Sequence, residues 1–157
     1  MLEVVESREK VGVAEGHKVL VYMPGVWDLL HVGHVTILEK AKGLGDILVV
    51  GVPSDEVVIL DKAQEPIIPC EQRCRMLEAL KCVDWTVIYY GLDFMPKIQM
   101  LQPDVLVIGA TWGKMKRHTD AVEWMERHGG QVVQFDYSSG VSSTLIKERV
   151  VKQWTSG

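Results

Sequence analysis

The chain has little of what would tie it to a membrane, a nucleic acid or a structural metal. No apolar run in its 157 residues approaches the length of a membrane span, so no membrane partner is expected. The N-terminus, Met1-Leu-Glu-Val-Val-Glu-Ser-Arg-Glu-Lys10, is charged and lacks the apolar centre of a secretory leader, so the expected location is cytoplasmic. Three cysteines, Cys70, Cys74 and Cys82, are an odd number without metal-ligand spacing, and they read as reduced thiols on or beside a helix. Positive charge is not in excess: 17 Lys and Arg stand against 21 Asp and Glu, giving −4 with neutral histidines. A field of that sign does not gather a long polyanion, so no nucleic-acid partner is expected. Internal repeats and low-complexity segments are absent as well.

What remains is the profile of one globular domain, 47% hydrophobic and 24% charged. Short β-rich runs alternate with helical patterns, the rhythm of βαβ units. Strands are expected over 18–23, 46–52, 84–90, 104–109 and 131–135. They are continuous apolar runs rather than alternating ones, as in strands covered on both faces. Helices are expected over 31–43, 54–61, 70–81, 93–101, 118–129 and 143–154. Lys62 to Pro69, with Pro66 and Pro69, cannot be regular helix and is read as a loop. The resulting fold class is α/β: a Rossmann-like open parallel five-stranded sheet with helices on both faces, a single domain over 17–157. Residues 1–16 show no matching pattern and are read as a mobile extension or a docking arm. In such a sheet ligands bind beyond the carboxyl ends of the strands, and the loops 24–30, 110–117 and 136–142 share that edge.

One of those loops carries the most chemistry. Gly25-Val-Trp-Asp-Leu-Leu-His-Val-Gly-His34 follows the apolar run Lys18-Val-Leu-Val-Tyr-Met23 directly. His31 and His34, three residues apart at a helix start, can turn both imidazoles to one point. The free N–H groups of the first turn favour an anion there, and Gly33 lacks the Cβ that would hold a bulky anion away. The arrangement suits nucleotide phosphates. A metal pair is the competing reading, but HxxH with no third ligand nearby is a poor zinc site, and no metal-ligating residue is assigned. Asp28, three residues before His31, could cap the helix, orient a lysine or hold a histidine tautomer.

The segment resembles the HxGH signature of the cytidylyltransferase-like nucleotidyltransferases. The similarity continues through 44–52, Ser54-Asp55-Glu56, Pro69-Cys-Glu-Gln-Arg73, 76–85, Gln102-Pro-Asp-Val-Leu-Val-Ile-Gly109 and Ser139-Gly-Val-Ser-Ser-Thr144. Stretches 69–85 and 102–109 resemble heptose-1-phosphate nucleotidyltransferases; Trp27-Asp-Leu-Leu and Trp112-Gly-Lys are closer to glycerol-3-phosphate cytidylyltransferases. The resemblance implies transfer of a nucleotidyl group, CMP favoured and AMP close behind, from a nucleoside triphosphate to a small phosphorylated acceptor such as a sugar phosphate or glycerol 3-phosphate. Pyrophosphate is released. It implies His31, His34 and Lys62 as catalytic residues. Nucleotide contacts are implied at Gly25, Val26, Trp27, Asp28, Gly33, Arg73, Gly109, Thr111, Ser142, Ser143 and Thr144, and acceptor contacts at Lys81 and Trp112. Magnesium is expected on the nucleotide's phosphates, and a homodimer is implied. Ser142, Ser143 and Thr144 could equally be an ordinary helix cap. The chain departs from relatives in two places: Tyr137-Ser-Ser-Gly140 has no leading basic residue, and Gly109-Ala-Thr-Trp lacks the usual loop acid.

Two readings compete with this one: adenylyl transfer to FMN or phosphopantetheine, and a nucleotide-binding regulator without turnover. Two local basic clusters, Lys62/Arg73/Arg75/Lys81 and Lys114/Lys116/Arg117/His118, fit either phosphate pockets or solvated helix faces.

Overall fold

The computed structural model describes residues 7–12, 18–110, 113, 115–136 and 140–156. Thr111 and Trp112, expected at the nucleotide and acceptor, lie outside the described residues, as do Lys114 and Tyr137.

The apolar runs form the strands β1 (Leu20–Pro24), β2 (Ile47–Pro53), β3 (Trp85–Tyr89), β4 (Val105–Gly109) and β5 (Gln131–Phe135). All pair in parallel in the order β3-β2-β1-β4-β5. The helices between them are α1 (Val32–Lys42), α2 (Asp55–Lys62), α3 (Cys70–Glu78), α4 (Met95–Leu101), α5 (Lys116–Arg127) and α6 (Ser143–Thr155). Because successive strand residues face opposite sides, the sheet builds two cores. Val21, Leu48, Val50 and Val107 pack against Ile37, Leu38 and Ala41 of α1 and Cys74 and Leu77 of α3. Leu20, Tyr22, Val49 and Leu106 pack against Ile98 and Leu101 of α4 and Ala121 and Met125 of α5. The open α/β sheet with helices on both faces is therefore as expected.

Where boundaries shift, a local cause is visible. α3 ends at Glu78, and tight turns carry the chain on through Leu80 N–H to Leu77 O and Val83 N–H to Leu80 O. That leaves Lys81 in an exposed turn rather than on the helix. α5 begins at Lys116 and stops at Arg127, just before Gly129 takes φ +75°. Within the 1–16 stretch, Glu9–Val11 forms a 3-10 turn whose Val11 is buried in the α4/α5 core. Arg8 donates to the Gln102 carbonyl and, at 2.8 Å, to Asp104.

The strand order reverses between β1 and β4, and there the pairing is shortest. β2 registers five residues against β1 and five against β3, whereas β4 registers only Val105 and Leu106 against β1. Beyond Tyr22 and Leu106 the two strands part, opening the crevice where ligands sit in sheets of this topology.

Tyr22 is fully buried beside this opening, and its hydroxyl has no hydrogen-bond partner among the described residues. A Cβ on Gly51 would overlap that hydroxyl. Gly51→Ala is therefore expected to lower stability by about 1–3 kcal/mol, and Tyr22→Phe to be neutral or stabilising because it removes an unpaired buried hydroxyl. Urea denaturation of both variants and the double variant checks this, the double variant losing less than Gly51→Ala alone.

Candidate active site

The β1–α1 loop reaches its shape through strained backbone. Trp27 and Leu29 both adopt positive φ, 60° and 50°, without being glycine. Trp27 is held there because its ring is in the α1/α3 core and its Nε1–H donates to Gly51 O at 3.0 Å. The loop then delivers His31 as the residue that caps α1, not as part of the helix.

The two histidines form a reciprocal cap. Gly33 N–H donates to His31 Nδ1 at 3.1 Å, and His31 N–H donates to His34 Nδ1 at 3.4 Å. The rings stack with centroids 3.8 Å apart and planes 23° from parallel. A backbone N–H can only donate, so Nδ1 is the acceptor in both rings and each neutral imidazole carries its proton on Nε2. Burial lowers the pKa of both. For His34 it falls from 6.5 to about 4, through burial first and the His31 neighbour second, against a smaller raising effect of Asp28. The site thus presents two uncharged Nε2–H donors at neutral pH. A Cβ on Gly33 would lie 2.9 Å from the His31 ring, so the glycine makes room for that imidazole rather than for an anion.

Asp28 is not the cap. It is buried, and its carboxylate accepts from Ile67 N–H and Ile68 N–H, both at 2.9 Å, and lies 3.6 Å from Lys147 Nζ. Of the three roles open to it in sequence, the geometry keeps lysine orientation and adds loop anchoring. Its backbone carbonyl accepts from Ser143 Oγ at 2.6 Å, fastening the start of α6 to the loop. Ser142 caps α6 by accepting from Leu145 N–H at 3.1 Å. The capping role is thereby real for Ser142, while Ser143 ties the start of α6 to the β1–α1 loop.

These elements surround a cavity of about 790 Å³. Gly25, Val26, Trp27, Asp28, His31, His34, Lys62, Gly109, Ser142, Ser143 and Thr144 line it, together with Asp61, Tyr89, Phe94, Arg117, His118 and Lys147. Three expected residues do not: Gly33, whose open side is taken by the His31 ring, Lys81 and Arg73. Lys81 is exposed outside the lining. Arg73 is buried in α3, its guanidinium donating to Ile68 O, Val26 O, Pro53 O and Asp55 Oδ1 at 2.7–2.9 Å. Every nitrogen is committed to the protein, so Arg73 shapes the site by holding the Val26 and Ile68 carbonyls. The basic clusters also split: Lys116 pairs with Asp120 in solvent, while Arg117 and His118 turn inward.

Lys147 escapes sequence reasoning, and Arg117 enters it only as one member of a basic cluster open to two readings. Each matters through a carboxylate more than fifty residues away. Among the described residues no three His, Cys, Asp or Glu side chains could hold a metal, and no helix is long and apolar enough to cross a membrane.

The cytidylyltransferase-like family model matches residues 22–149. The bifunctional protein HldE of Geotalea uraniireducens is 41% identical over 134 residues, 85% of this chain and 27% of that protein. Its namesake from Syntrophotalea carbinolica is 36% identical over 141 residues, 89% of this chain and 28% of that protein. The chain thus spans little more than a quarter of these curated relatives. A lipopolysaccharide core biosynthesis protein from Thermoplasma volcanium superposes with a TM-score of 0.64 at 28% identity, covering 78% of this chain and 98% of that one. Pantoate-beta-alanine ligase from Francisella tularensis, at 14% identity and a TM-score of 0.58, shares the fold alone, with 94% of this chain and 76% of that one covered.

Two outcomes are expected from the site's construction. Arg73→Met takes the guanidinium donors from three carbonyls and the ion pair from Asp55, and is expected to cost about 3 kcal/mol of stability by chemical denaturation. His34 binds its proton in the unfolded chain near pH 6.5 but in the fold only near 4, so it contributes stability above pH 6.5 that is lost as pH falls toward 4. Melting temperatures between pH 7.5 and 4.5 are therefore expected to fall less steeply for His34→Gln than for the wild type.

Proposed function

The chain belongs to the cytidylyltransferase-like family of nucleotidyltransferases, and on that premise we propose that it transfers AMP or CMP from the triphosphate to the phosphate of a small sugar phosphate. The observation that carries the proposal is the histidine pair. Both Nδ1 atoms are occupied by backbone N–H groups, and both Nε2–H groups remain as donors in a cavity bounded by two helix starts. Such a set of donors suits a polyphosphate, and 790 Å³ is room for a nucleotide with a small acceptor.

In the reaction an oxygen of the acceptor phosphate attacks the α-phosphorus. The new P–O bond forms as the bond to the bridging oxygen breaks, and pyrophosphate leaves. Such transfer needs alignment of two anions and donors placed where charge builds. His31 and His34 donate as neutral imidazoles to the phosphate oxygens that gain charge. Their uncharged state suits this role, because protonating either Nδ1 would cost a cap hydrogen bond. Lys147, held by Asp28, and Lys62, more than half exposed, supply the positive charge that neutral imidazoles do not. Ser142, Ser143 and Thr144 offer the N–H groups of α6 to the outer phosphates. Magnesium would come in on the nucleotide's own phosphates and offset part of their charge.

The sugar-phosphate reading gains from the relatives. The lipopolysaccharide core protein superposes over most of the chain, and the 69–85 and 102–109 stretches resemble heptose-1-phosphate enzymes. Trp27, whose stretch is closer to glycerol phosphate enzymes, spends its ring on the core, and that resemblance loses weight for the acceptor. ATP accordingly stands beside CTP as the first donor to try. The implied homodimer belongs to the same proposal and is read by light scattering.

The test is pyrophosphate release from each of the four triphosphates against sugar 1-phosphates and glycerol 3-phosphate, with magnesium. One sugar phosphate is expected to react with ATP or CTP, and silence across the panel in folded protein would defeat the proposal. In the productive pair His34→Ala is expected to lower turnover about a hundredfold, the loss typical of one well-aimed donor.

A further inference from the structure

The far wall of the cavity holds a second, differently built charged group. Arg117, the second residue of α5, donates through one Nη to Asp61 at the end of α2, in a close ion pair that ties the two helices together. Both side chains are about one-fifth exposed, and the guanidinium carbon stands 6.0 Å from the centre of the Phe94 ring. Lys62 Nζ lies 3.5 Å from the other oxygen of the same carboxylate. One carboxylate therefore faces two cations, and the group as a whole is positive.

The pair is also incompletely bonded. Among the described residues Arg117 donates to Asp61 alone, through one of its three nitrogens, and its Nε is buried without an acceptor. Arg73 gives the contrast within the same fold: there every guanidinium nitrogen has a protein acceptor, as a structural arginine requires. A single-point pair to a carboxylate, with a spare Nε–H beside it, is an arrangement that a dianion improves. A phosphomonoester offers three oxygens to the planar fork where Asp61 uses one. The charge balance favours it once Asp61 is displaced, since the two cations then match a dianion, whereas a dianion added beside the seated carboxylate would leave the group at −1.

We infer that Arg117 is the residue that recognises the phosphate of the acceptor, and that Asp61 is its displaceable counter-ion, holding the guanidinium at the cavity wall until a phosphomonoester replaces it. The inference rests on the nucleotidyl-transfer reading for the identity of the anion as acceptor. The anion site itself stands on the Arg117–Asp61 geometry. Tyr89, buried beside the pair, and His118, whose ring lies 5.8 Å from that of Phe94, complete the charged and titratable groups around it.

The test uses inorganic phosphate as an unreactive probe, titrated calorimetrically into the full chain with magnesium and a nucleoside triphosphate present to fill the histidine end. Wild type, Arg117→Met, Arg117→Lys and Asp61→Asn are compared, with melting curves to establish that each is folded. Phosphate affinity is expected to fall tenfold or more in Arg117→Met, to recover in part in Arg117→Lys, and to hold or rise in Asp61→Asn, where the competing charge is gone. A bridge that only braced α2 against α5 would move melting temperature in both Arg117→Met and Asp61→Asn and leave phosphate affinity alone; that result would overturn the inference. With an active donor–acceptor pair in hand, Arg117→Met is expected to raise KM for the acceptor at least tenfold while KM for the triphosphate stays within twofold. Equal KM values for the acceptor would likewise overturn it. If no pair turns over but phosphate affinity still depends on Arg117, the proposed reaction falls and the anion site remains.

Discussion

The buried carboxylate of Asp28 is the constraint on which the site is built. Three segments distant in sequence meet at this residue: the β1–α1 loop that contains it, the 63–69 loop through Ile67 and Ile68, and α6 through Ser143 and Lys147. None of these contacts is apolar. α6 has no buried residue at all, so its place over the cavity is set by polar contacts near its first turns rather than by core packing. A buried charge of this kind is tolerated only when its oxygens are well occupied, and here three backbone N–H groups, of Leu29, Ile67 and Ile68, and an ammonium do so. The same constraint explains why the 63–69 loop, rich in proline and lacking regular structure, is nevertheless fixed at the cavity edge.

Around that anchor the protein separates two uses of charge. Arg73 is spent inward, on three carbonyls and Asp55. Lys62, Lys147 and Arg117 are spent toward the cavity, each leaning on a carboxylate that leaves donors over. The division follows from burial. An arginine deep in the fold must satisfy every nitrogen from the protein, whereas a cation at a cavity wall can leave some to a ligand.

The fold is legible in the sequence because its signals are local and redundant. Continuous apolar runs locate all five strands to within about two residues, whereas the order in which they pair is set by contacts across the fold. The site is legible where chemistry and sequence adjacency coincide, as at His31 and His34. It is not legible where a residue's role depends on who sits across the fold. Arg73 matches a family position, yet its surroundings make it a strut, and no pattern near Lys147 or Arg117 announces the carboxylates they meet. Gly33 reads in sequence as space for a ligand, whereas the neighbouring imidazole fills that space, because ring placement depends on the cap geometry and not on spacing alone. The strained backbone at Trp27 and Leu29 has no sequence cue either, since neither is a residue that usually adopts positive φ.

The histidine cap has a consequence for how this centre can vary. In most helices the residue that starts the helix and the residue that handles the ligand are independent, so one can be exchanged without touching the other. Under the proposed function a single pair of rings does both, and any replacement must at once accept two main-chain N–H bonds and offer two outward donors. Asparagine or serine could begin the helix but would leave the ligand ungripped; lysine could grip but not begin it. Proton uptake at either Nδ1 and the start of α1 are thereby coupled, because each protonation removes an acceptor from the cap.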